Sequence, residues 1–393
     1  MSQPPRITAD WLTAQPLETV FEALGGQAYL VGGCVRNALL GLEVADVDLA
    51  TPLPPGQVVD LLETAGVRAV PTGFEHGTVT AVLNGQGYEI TTFRADVETD
   101  GRHAVVRFST DIAEDACRRD FTINALYATA DGTVIDPLNS LQDLILRRVR
   151  FIGEARDRLR EDFLRILRFF RFTAWYAEGG RPDAEGLAAC EAEVAGLSGI
   201  ARERVGAEMR KLLGAPDPAA ALAAMEACGV LDEVLPGVSA AKVPTLLRLE
   251  ADLGAAPDWV RRLVVLTDGE AAPVDALKLS REDARQFRDI ALVAAASEPP
   301  ALAAEAAGVE TATSGLLVSA ARHGGALVDG FEAEIARGAV AQFPLRAEDL
   351  MAAGWTQGPG LGAALAEARS LWRKSDFTLD KNALLGHLGK KVS

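Results

Sequence analysis

The stretch Tyr29-Leu30-Val31-Gly32-Gly33-Cys34-Val35-Arg36-Asn37-Ala38-Leu39-Leu40-Gly41, followed closely by Ala45-Asp46-Val47-Asp48-Leu49-Ala50-Thr51, decides how the chain reads. Residues 28–31 form a short apolar run that predicts a buried strand. It runs straight into Gly32-Gly33, where the missing side chains let backbone N–H groups approach a ligand. A short helix follows, with Val35, Ala38, Leu39 and Leu42 expected on its inner face. The N-terminus of that helix favours an anion, and Arg36 adds a fixed cation, so a triphosphate fits. The next run is expected to be a strand from Asp46. Alternation then puts Asp46 and Asp48 on one face and Val47 and Leu49 in the core. Two carboxylates side by side repel unless a cation joins them. They form a candidate site for one or two Mg²⁺ ions, which take oxygen ligands and hold substrate phosphates. A two-metal site of this kind can activate a 3′-hydroxyl and stabilise departing pyrophosphate.

Working outward, Val79 to Leu83 and Tyr88 to Phe93 flank Asn84-Gly85-Gln86-Gly87 and predict a hairpin. Glu89 lies in its second strand, on one face with Thr91 and Phe93, and is the candidate third carboxylate; an exposed edge glutamate is the other reading. Cys117-Arg118-Arg119-Asp120-Phe121-Thr122-Ile123-Asn124 sets two cations and an Asp before an apolar run. Arginines suit bidentate phosphate contacts, and Asp120 or Asn124 can hold a ribose hydroxyl, although a salt-bridged helix start would look the same.

Beyond about residue 150 the strand signals stop. Residues 156–176 are expected to form one long helix, with Asp162, Arg165, Arg168 and Arg171 recurring at every third position among seven large apolar side chains. Charges on so apolar a helix should be paired or hold a ligand. Asp162 with Arg165 also makes a base reader. Cytosine and adenine each offer an amine beside an acceptor ring nitrogen, which an Asp and an Arg match; uracil and guanine offer the reverse. A good bidentate pair discriminates by roughly 1–3 kcal/mol. The competing reading is that Asp162 only pairs with Arg165 to hold the helix. Helices are expected at 202–213 and 219–228, then alanine-rich helices to the end, which makes the whole an α+β head followed by an all-α remainder.

The chain has 393 residues, 49% of them hydrophobic, which suits an ordinary globular protein of several domains. Its 4 Cys form no CxxC pair, and its 4 His form no His-Asp cluster. Zinc, a disulfide framework and metal-dependent phosphohydrolase chemistry are therefore not expected, and a reducing cytoplasm is. No signal peptide and no membrane span are read. The net charge of -16 argues against nucleic-acid binding until its distribution is considered. Arginines crowd residues 147–171, and Arg369, Arg373, Lys374, Lys381, Lys390 and Lys391 crowd the C-terminus. Such local patches decide binding.

These motifs, taken in order, resemble those of the class II CCA-adding tRNA nucleotidyltransferases, which share their core with bacterial poly(A) polymerases. Gly32-Gly33-x-Val35-Arg36 with Asp46-x-Asp48 resembles the family's catalytic motif. Arg118-Arg119-Asp120 through Asn124 resembles its ribose and triphosphate motif, and Asp136-Pro137 with Asp143-Leu144 its hinge. Glu161-Asp162-x-x-Arg165 resembles the amino-acid template for the incoming base, and Arg202-Glu203-Arg204 with Glu208 the motif that braces it. The chain departs from the pattern at Asn37, where Asp is usual, at Asn139-Ser140, where a Gly pair is common, and at Ala201, where Ser is usual.

The resemblance implies a polymerase-β-like nucleotidyltransferase head with a mixed sheet over 1–145, then a helical neck over 146–215, a body over 216–310 and a tail over 311–393. It implies CTP and ATP as substrates, Mg²⁺ as cofactor and tRNA as acceptor, with no membrane partner. Asp46, Asp48 and Glu89 would be catalytic, the first two holding metal. Gly32, Gly33, Arg36, Arg118, Arg119, Asp120, Asn124, Asp162, Arg165, Arg168 and Arg171 would bind nucleotide. Glu161, Glu203 and Arg204 would support the template, and Lys374, Lys381, Lys390 and Lys391 would grip RNA. A poly(A) polymerase, an enzyme adding only CC or only A, and an inactive RNA-binding protein are the alternatives. Residues 68–78 look more like the tRNA enzymes, and Asp100-Gly101-Arg102-His103 fills the region of a basic loop that CC-adding relatives tend to lack.

Overall fold

The computed structural model describes residues 4–96, 106–270 and 272–389, so the loop at 100–103 and Lys390 and Lys391 lie outside the described residues. The chain divides into two compact units, Met1–Pro236 and Gly237–Ser393.

The first unit carries the strands β1 (Tyr29–Val31), β2 (Asp48–Thr51), β3 (Arg68–Gly73), β4 (Thr78–Leu83), β5 (Gln86–Thr92), β6 (Arg94–Asp96), β7 (Val106–Phe108), β8 (Tyr127–Ala128) and β9 (Val134–Ile135). Its helices are α1 (Gln15–Ala23), α2 (Gly33–Leu39), α3 (Pro55–Thr64), α4 (Ile112–Cys117), α5 (Leu141–Ile145), α6 (Ala155–Glu161), α7 (Leu164–Tyr176), α8 (Ala184–Ala192), α9 (Arg202–Leu213), α10 (Ala219–Ala227) and α11 (Val230–Val234). Seven strands make one sheet in the order β3-β4-β5-β2-β1-β8-β9, and β6 pairs with β7. The sheet is mixed: β2 and β5 run parallel, with Asp48 opposite Glu89, and the other pairings are antiparallel. The β4–β5 hairpin turns on Asn84 and Gly85, both at positive φ, as two-residue hairpin loops require.

Two local expectations are corrected. Strand β2 begins at Asp48, so Asp46 sits in the irregular stretch before it, although Val47 and Leu49 are buried as the alternation predicts. Leu42 lies past the end of α2 and is exposed; the buried residues of the helix are Cys34, Val35 and Arg36.

The larger correction concerns the long helix, which is two helices. Asp162 is extended, with φ -155° and ψ 104°, and separates α6 from α7. Its carboxylate accepts a hydrogen bond from the Leu164 backbone N–H at 3.1 Å, the local competition by which Asp interrupts helices. Phe163 packs against Gly196, where a Cβ would fall 2.2 Å from the ring. The apolar run Phe163-Leu164 hid this break from periodicity.

Helix α7 is held on both sides. Phe121 packs on Phe151, Phe169 and Phe172 with ring centroids 5.0–6.3 Å apart, which joins the segment after the sheet's Arg-Arg-Asp motif to the helical layer. On α9, Glu208 pairs with Arg171 at 2.6 Å. The second unit is helical throughout its described residues, including Val243–Asp252, Trp259–Leu266, Val309–His323, Pro359–Lys374 and Lys381–Gly389. There the buried Glu250 carboxylate joins Arg261 and Arg262 at 2.8 and 2.7 Å. Among the described residues, no helix is long and apolar enough to cross a membrane.

Candidate active site

A cavity of about 490 Å³ opens over the carboxyl-bearing face of β2 and β5, between the start of α2 and the Arg-Arg-Asp segment. Gly32, Gly33, Arg36, Asp48, Glu89, Arg118, Arg119, Asp120, Asn124 and Arg168 all line it. Gly32 adopts φ +69°, and a Cβ there would lie 3.3 Å from Arg119, so both the backbone turn and the close approach call for glycine.

Parallel register puts Asp48 directly beside Glu89, with Asp46 two residues back. Poor solvation in the cavity wall, then repulsion from Glu89 and from Asp46, push the Asp48 carboxyl above its ordinary value. The carboxylates thus sit where a cation is missed. Among the described residues no three His, Cys, Asp or Glu side chains gather to hold a metal alone. A pair of carboxylates completed by substrate phosphates is how Mg²⁺ is commonly held, so the donor set fits that ion.

The raised Asp48 value carries a testable sign. A carboxyl whose folded-state pKa exceeds its unfolded value costs stability increasingly as pH rises from the unfolded to the folded value, and in full above the latter. Asp48→Asn is therefore expected to melt a few degrees above the wild type at neutral pH without divalent ions, the gap closing as the pH falls into the acid range. Added Mg²⁺ should raise the wild-type melting temperature and leave the variant's nearly unchanged. A variant that melts lower, by the same margin at every pH, contradicts this reading.

The cations around the cavity are mostly committed. Arg36 is buried and donates to Asn124 Oδ1 at 2.5 Å and to the Tyr176 hydroxyl at 2.7 Å. Asp120 accepts from Asn124 Nδ2 on Oδ1 at 2.9 Å and from Arg168 Nε and Nη2 on Oδ2 at 2.8 and 2.5 Å. Burial works against its charge, but Arg168 and Asn124 outweigh this and hold its carboxyl below the usual range. In this geometry Asp120 positions Asn124 and Arg168, both of which face the cavity. Arg119 pairs with Asp115 at 3.2 Å.

A second cavity of about 350 Å³ is lined by Arg119, Asp120, Asp162, Leu164, Arg165, Arg168 and Arg204. It shares Arg119, Asp120 and Arg168 with the first. Asp162 and Arg165 both line it, but they are not each other's partners. Asp162 pairs with Arg204 at 2.7 Å. Arg165 pairs with Glu161 and donates to the Arg158 carbonyl at 2.8 Å. Arg204 and Glu208 on α9 thus contact Asp162 and Arg171, while Glu203 is exposed on the first turn of α9. Arg171 lines neither cavity and serves the α7–α9 contact. In the second unit, Lys381 is engaged by Asp349 and Lys374 is exposed.

The sequence matches the family described as Poly A polymerase head domain over residues 28–150, and the family described as Probable RNA and SrmB- binding site of polymerase A over residues 182–242. It is 33% identical, over 95% of this chain and 90% of the relative, to the mitochondrial CCA tRNA nucleotidyltransferase 1 of Danio rerio. The chain belongs to the CCA-adding enzyme and poly(A) polymerase family. A CCA-adding enzyme of Lacticaseibacillus paracasei is 40% identical over 54% of this chain and 52% of its own length. The crystal structure of the Bacillus stearothermophilus CCA-adding enzyme in complex with CTP matches with a TM-score of 0.75 at 29% identity, over 96% of this chain and 98% of that one.

Against this family's motifs, two of the three departures find local explanations, while Ala201 leaves α9 without a side-chain cap. Asn139 takes a positive φ of 55°, which Asn tolerates better than most residues, where a Gly pair is common. Ser140 adds a 3.0 Å hydrogen bond to Asp136, whose carboxylate also caps the Ser140 and Leu141 N–H groups at 2.8 Å. Asn37 accepts from Arg36 at 2.9 Å, a role in which Asp would serve equally.

Two cavity residues escaped the sequence reading. Asp115 is buried beneath Arg119 and accepts from the Tyr127 hydroxyl at 2.6 Å. Arg94 follows β5 by one residue and faces the same cavity. A charge placed directly after the apolar, β-branched run ending at Phe93 was the available signal for Arg94; Asp115, in a short acidic stretch, offered none.

Proposed function

We propose that this chain adds C and A nucleotides from CTP and ATP to the 3′ end of tRNA, without a nucleic-acid template, releasing pyrophosphate. The observation that carries the reading is the pair of adjoining cavities. One offers the glycine turn, the carboxylates and arginines that suit a triphosphate and a 3′-hydroxyl. The other, joined to it through Arg119, Asp120 and Arg168, offers Asp162 and Arg165 to a base. The mitochondrial relative's name and the CTP complex of the bacterial enzyme point the same way.

In this reading Asp46 and Asp48 hold the metal, taken to be Mg²⁺, and Glu89 lies beside them. A divalent ion bound there supplies activation of the 3′-hydroxyl and neutralises charge on the departing pyrophosphate. The Gly32-Gly33 turn and the N-terminus of α2 receive phosphate oxygens, while Arg118 and Arg119 face the triphosphate. Asn124, fixed by Asp120 and Arg36, is placed to hold the ribose. Asp162 accepts from the amine of C or A, and Arg165 donates to the adjacent ring nitrogen. Both reading groups have internal partners here, so a base must compete with Arg204 for Asp162.

We assign the head to 1–145, the neck to 146–215, the body to 216–310 and the tail to 311–393, with exposed Lys374 contributing to RNA binding. Four free cysteines suit a reducing compartment, and we place the protein in the cytoplasm.

The test is incorporation into tRNA transcripts lacking the 3′ end, with CTP, ATP, UTP and GTP supplied singly and together. CTP alone should give a short C extension and both nucleotides a completed CCA. Long tracts from ATP alone would make it a poly(A) polymerase, and addition of C or of A only would make it a partial enzyme. No extension by any nucleotide would overturn the reading.

A further inference from the structure

One guanidinium of the cavity wall, that of Arg94, has no direct carboxylate partner among the described residues. Arg94, at the start of β6, lines the cavity with Asp48, Glu89 and Gly33. Its backbone N–H donates to Asp115 Oδ1 at 3.1 Å, and Nη2 donates to Thr78 Oγ1 at 3.1 Å. Its Nε is buried and has no hydrogen-bond partner among the described residues.

No carboxylate pairs directly with the Arg94 guanidinium among the described residues, although Asp115 and Glu89 attract its charge from nearby. Asp115 divides its oxygens between Arg94 N–H, Arg119 and Tyr127. Arg168, which also lines the cavity, is bound by Asp120. Burial, with Arg118 adding repulsion, disfavours the charged form of Arg94. A half-buried cation whose side chain has one neutral acceptor is costly unless a ligand completes it, and the planar guanidinium fork matches a phosphate best.

We propose that Arg94 is a phosphate-positioning residue of the catalytic cavity, binding a substrate phosphate beside the carboxylates that share its wall. This rests on the proposed nucleotidyl transfer, in which two phosphates are available: the incoming triphosphate and the phosphodiester preceding the RNA's 3′ end. Both present the same oxygens to the guanidinium.

Binding measured without turnover separates the two sources and does not depend on transfer occurring. The probes are CTP with Mg²⁺ and no RNA, and a tRNA transcript lacking its 3′ end with no nucleotide. Arg94→Gln should weaken one of them by roughly ten- to a hundredfold, as expected for lost charge-assisted hydrogen bonds. Loss of CTP affinity, with weaker inhibition by pyrophosphate, assigns the triphosphate; loss of RNA affinity alone assigns the phosphodiester. Arg94→Lys should recover part of the loss, because the point charge remains. In turnover the matching KM should rise more than kcat falls.

Thr78→Val removes the hydrogen bond to Arg94, together with the Thr78–Thr91 hydroxyl contact, and leaves the guanidinium in place. If Arg94 merely braces β4 through Thr78, Thr78→Val reproduces the Arg94→Gln defect, and the proposal is wrong. It is equally overturned if Arg94→Gln leaves both affinities within about twofold of wild type, a change worth only ~0.4 kcal/mol.

Discussion

Replacing Asp46 or Asp48 by alanine leaves no more than a few per cent of wild-type incorporation, and CTP and ATP fail together. Both nucleotides are expected to use one metal site, because Asp48 and Glu89 stand side by side on β2 and β5 at one cavity, with Asp46 just before β2. Asp48 has the stronger structural case. It opens β2, lies in register with Glu89 and borders the cavity, while Asp46 reaches the same region from the irregular stretch before the strand. The loss should come without unfolding. Asp48 is raised in pKa by poor solvation and by its carboxylate neighbours, so its neutralisation removes repulsion. Asp48→Asn is thus expected to be inactive and at least as stable as the wild type. That combination is the mark of a residue kept for chemistry at a cost in stability. Steady-state incorporation of each nucleotide, with a melting curve on the same preparation, makes the check. If either Ala variant kept CTP or ATP incorporation well above a few per cent, the two-carboxylate assignment would fail.

The parts of the site that were legible in the sequence are those fixed by local rules. Period-two alternation places Val47 and Leu49 inside and leaves Asp48 facing outward. The Asn84-Gly85 turn fixes the hairpin, and the hairpin fixes the position of Glu89. What stayed hidden depends on partners distant in sequence. The break between α6 and α7 lies inside an unbroken apolar run, and it is secured by Arg204, 42 residues beyond Asp162, and by a glycine at 196 that admits Phe163. The stripe from Asp162 to Arg171 looked like one connected row. Folding instead sends its members to four different partners: Arg204, Glu161, Asp120 and Glu208. In the alanine-rich second unit, weak contrast between helix faces left internal boundaries unread, and nothing local marks Glu250, Arg261 and Arg262 as a buried cluster.

The break changes what an Asp162 substitution must be asked. Asp162→Ala removes the acceptor for an exocyclic amine. It also removes a helix-capping contact, worth about 1 kcal/mol, and a half-exposed ion pair worth about 0–1 kcal/mol. A modest fall in melting temperature is therefore expected under any reading and decides nothing. Selectivity decides. If Asp162 reads the base, the preference for CTP over UTP shrinks by roughly 1–3 kcal/mol, about ten- to a hundredfold. Metal binding at Asp46 and Asp48 survives, because those residues belong to a separate element. Arg204→Ala supplies the matching control. It breaks the same ion pair but leaves the Asp162 acceptor in place. It should slow all nucleotides by a similar factor and keep the CTP/UTP ratio near that of the wild type. If Asp162 acts only by bracing the start of α7 through Arg204, the two variants behave alike and neither alters the ratio. Measuring kcat/KM for CTP, ATP and UTP on both variants therefore separates a reader of bases from a brace. A uniform drop in the Asp162→Ala variant, with the CTP/UTP ratio unchanged, rules out base reading.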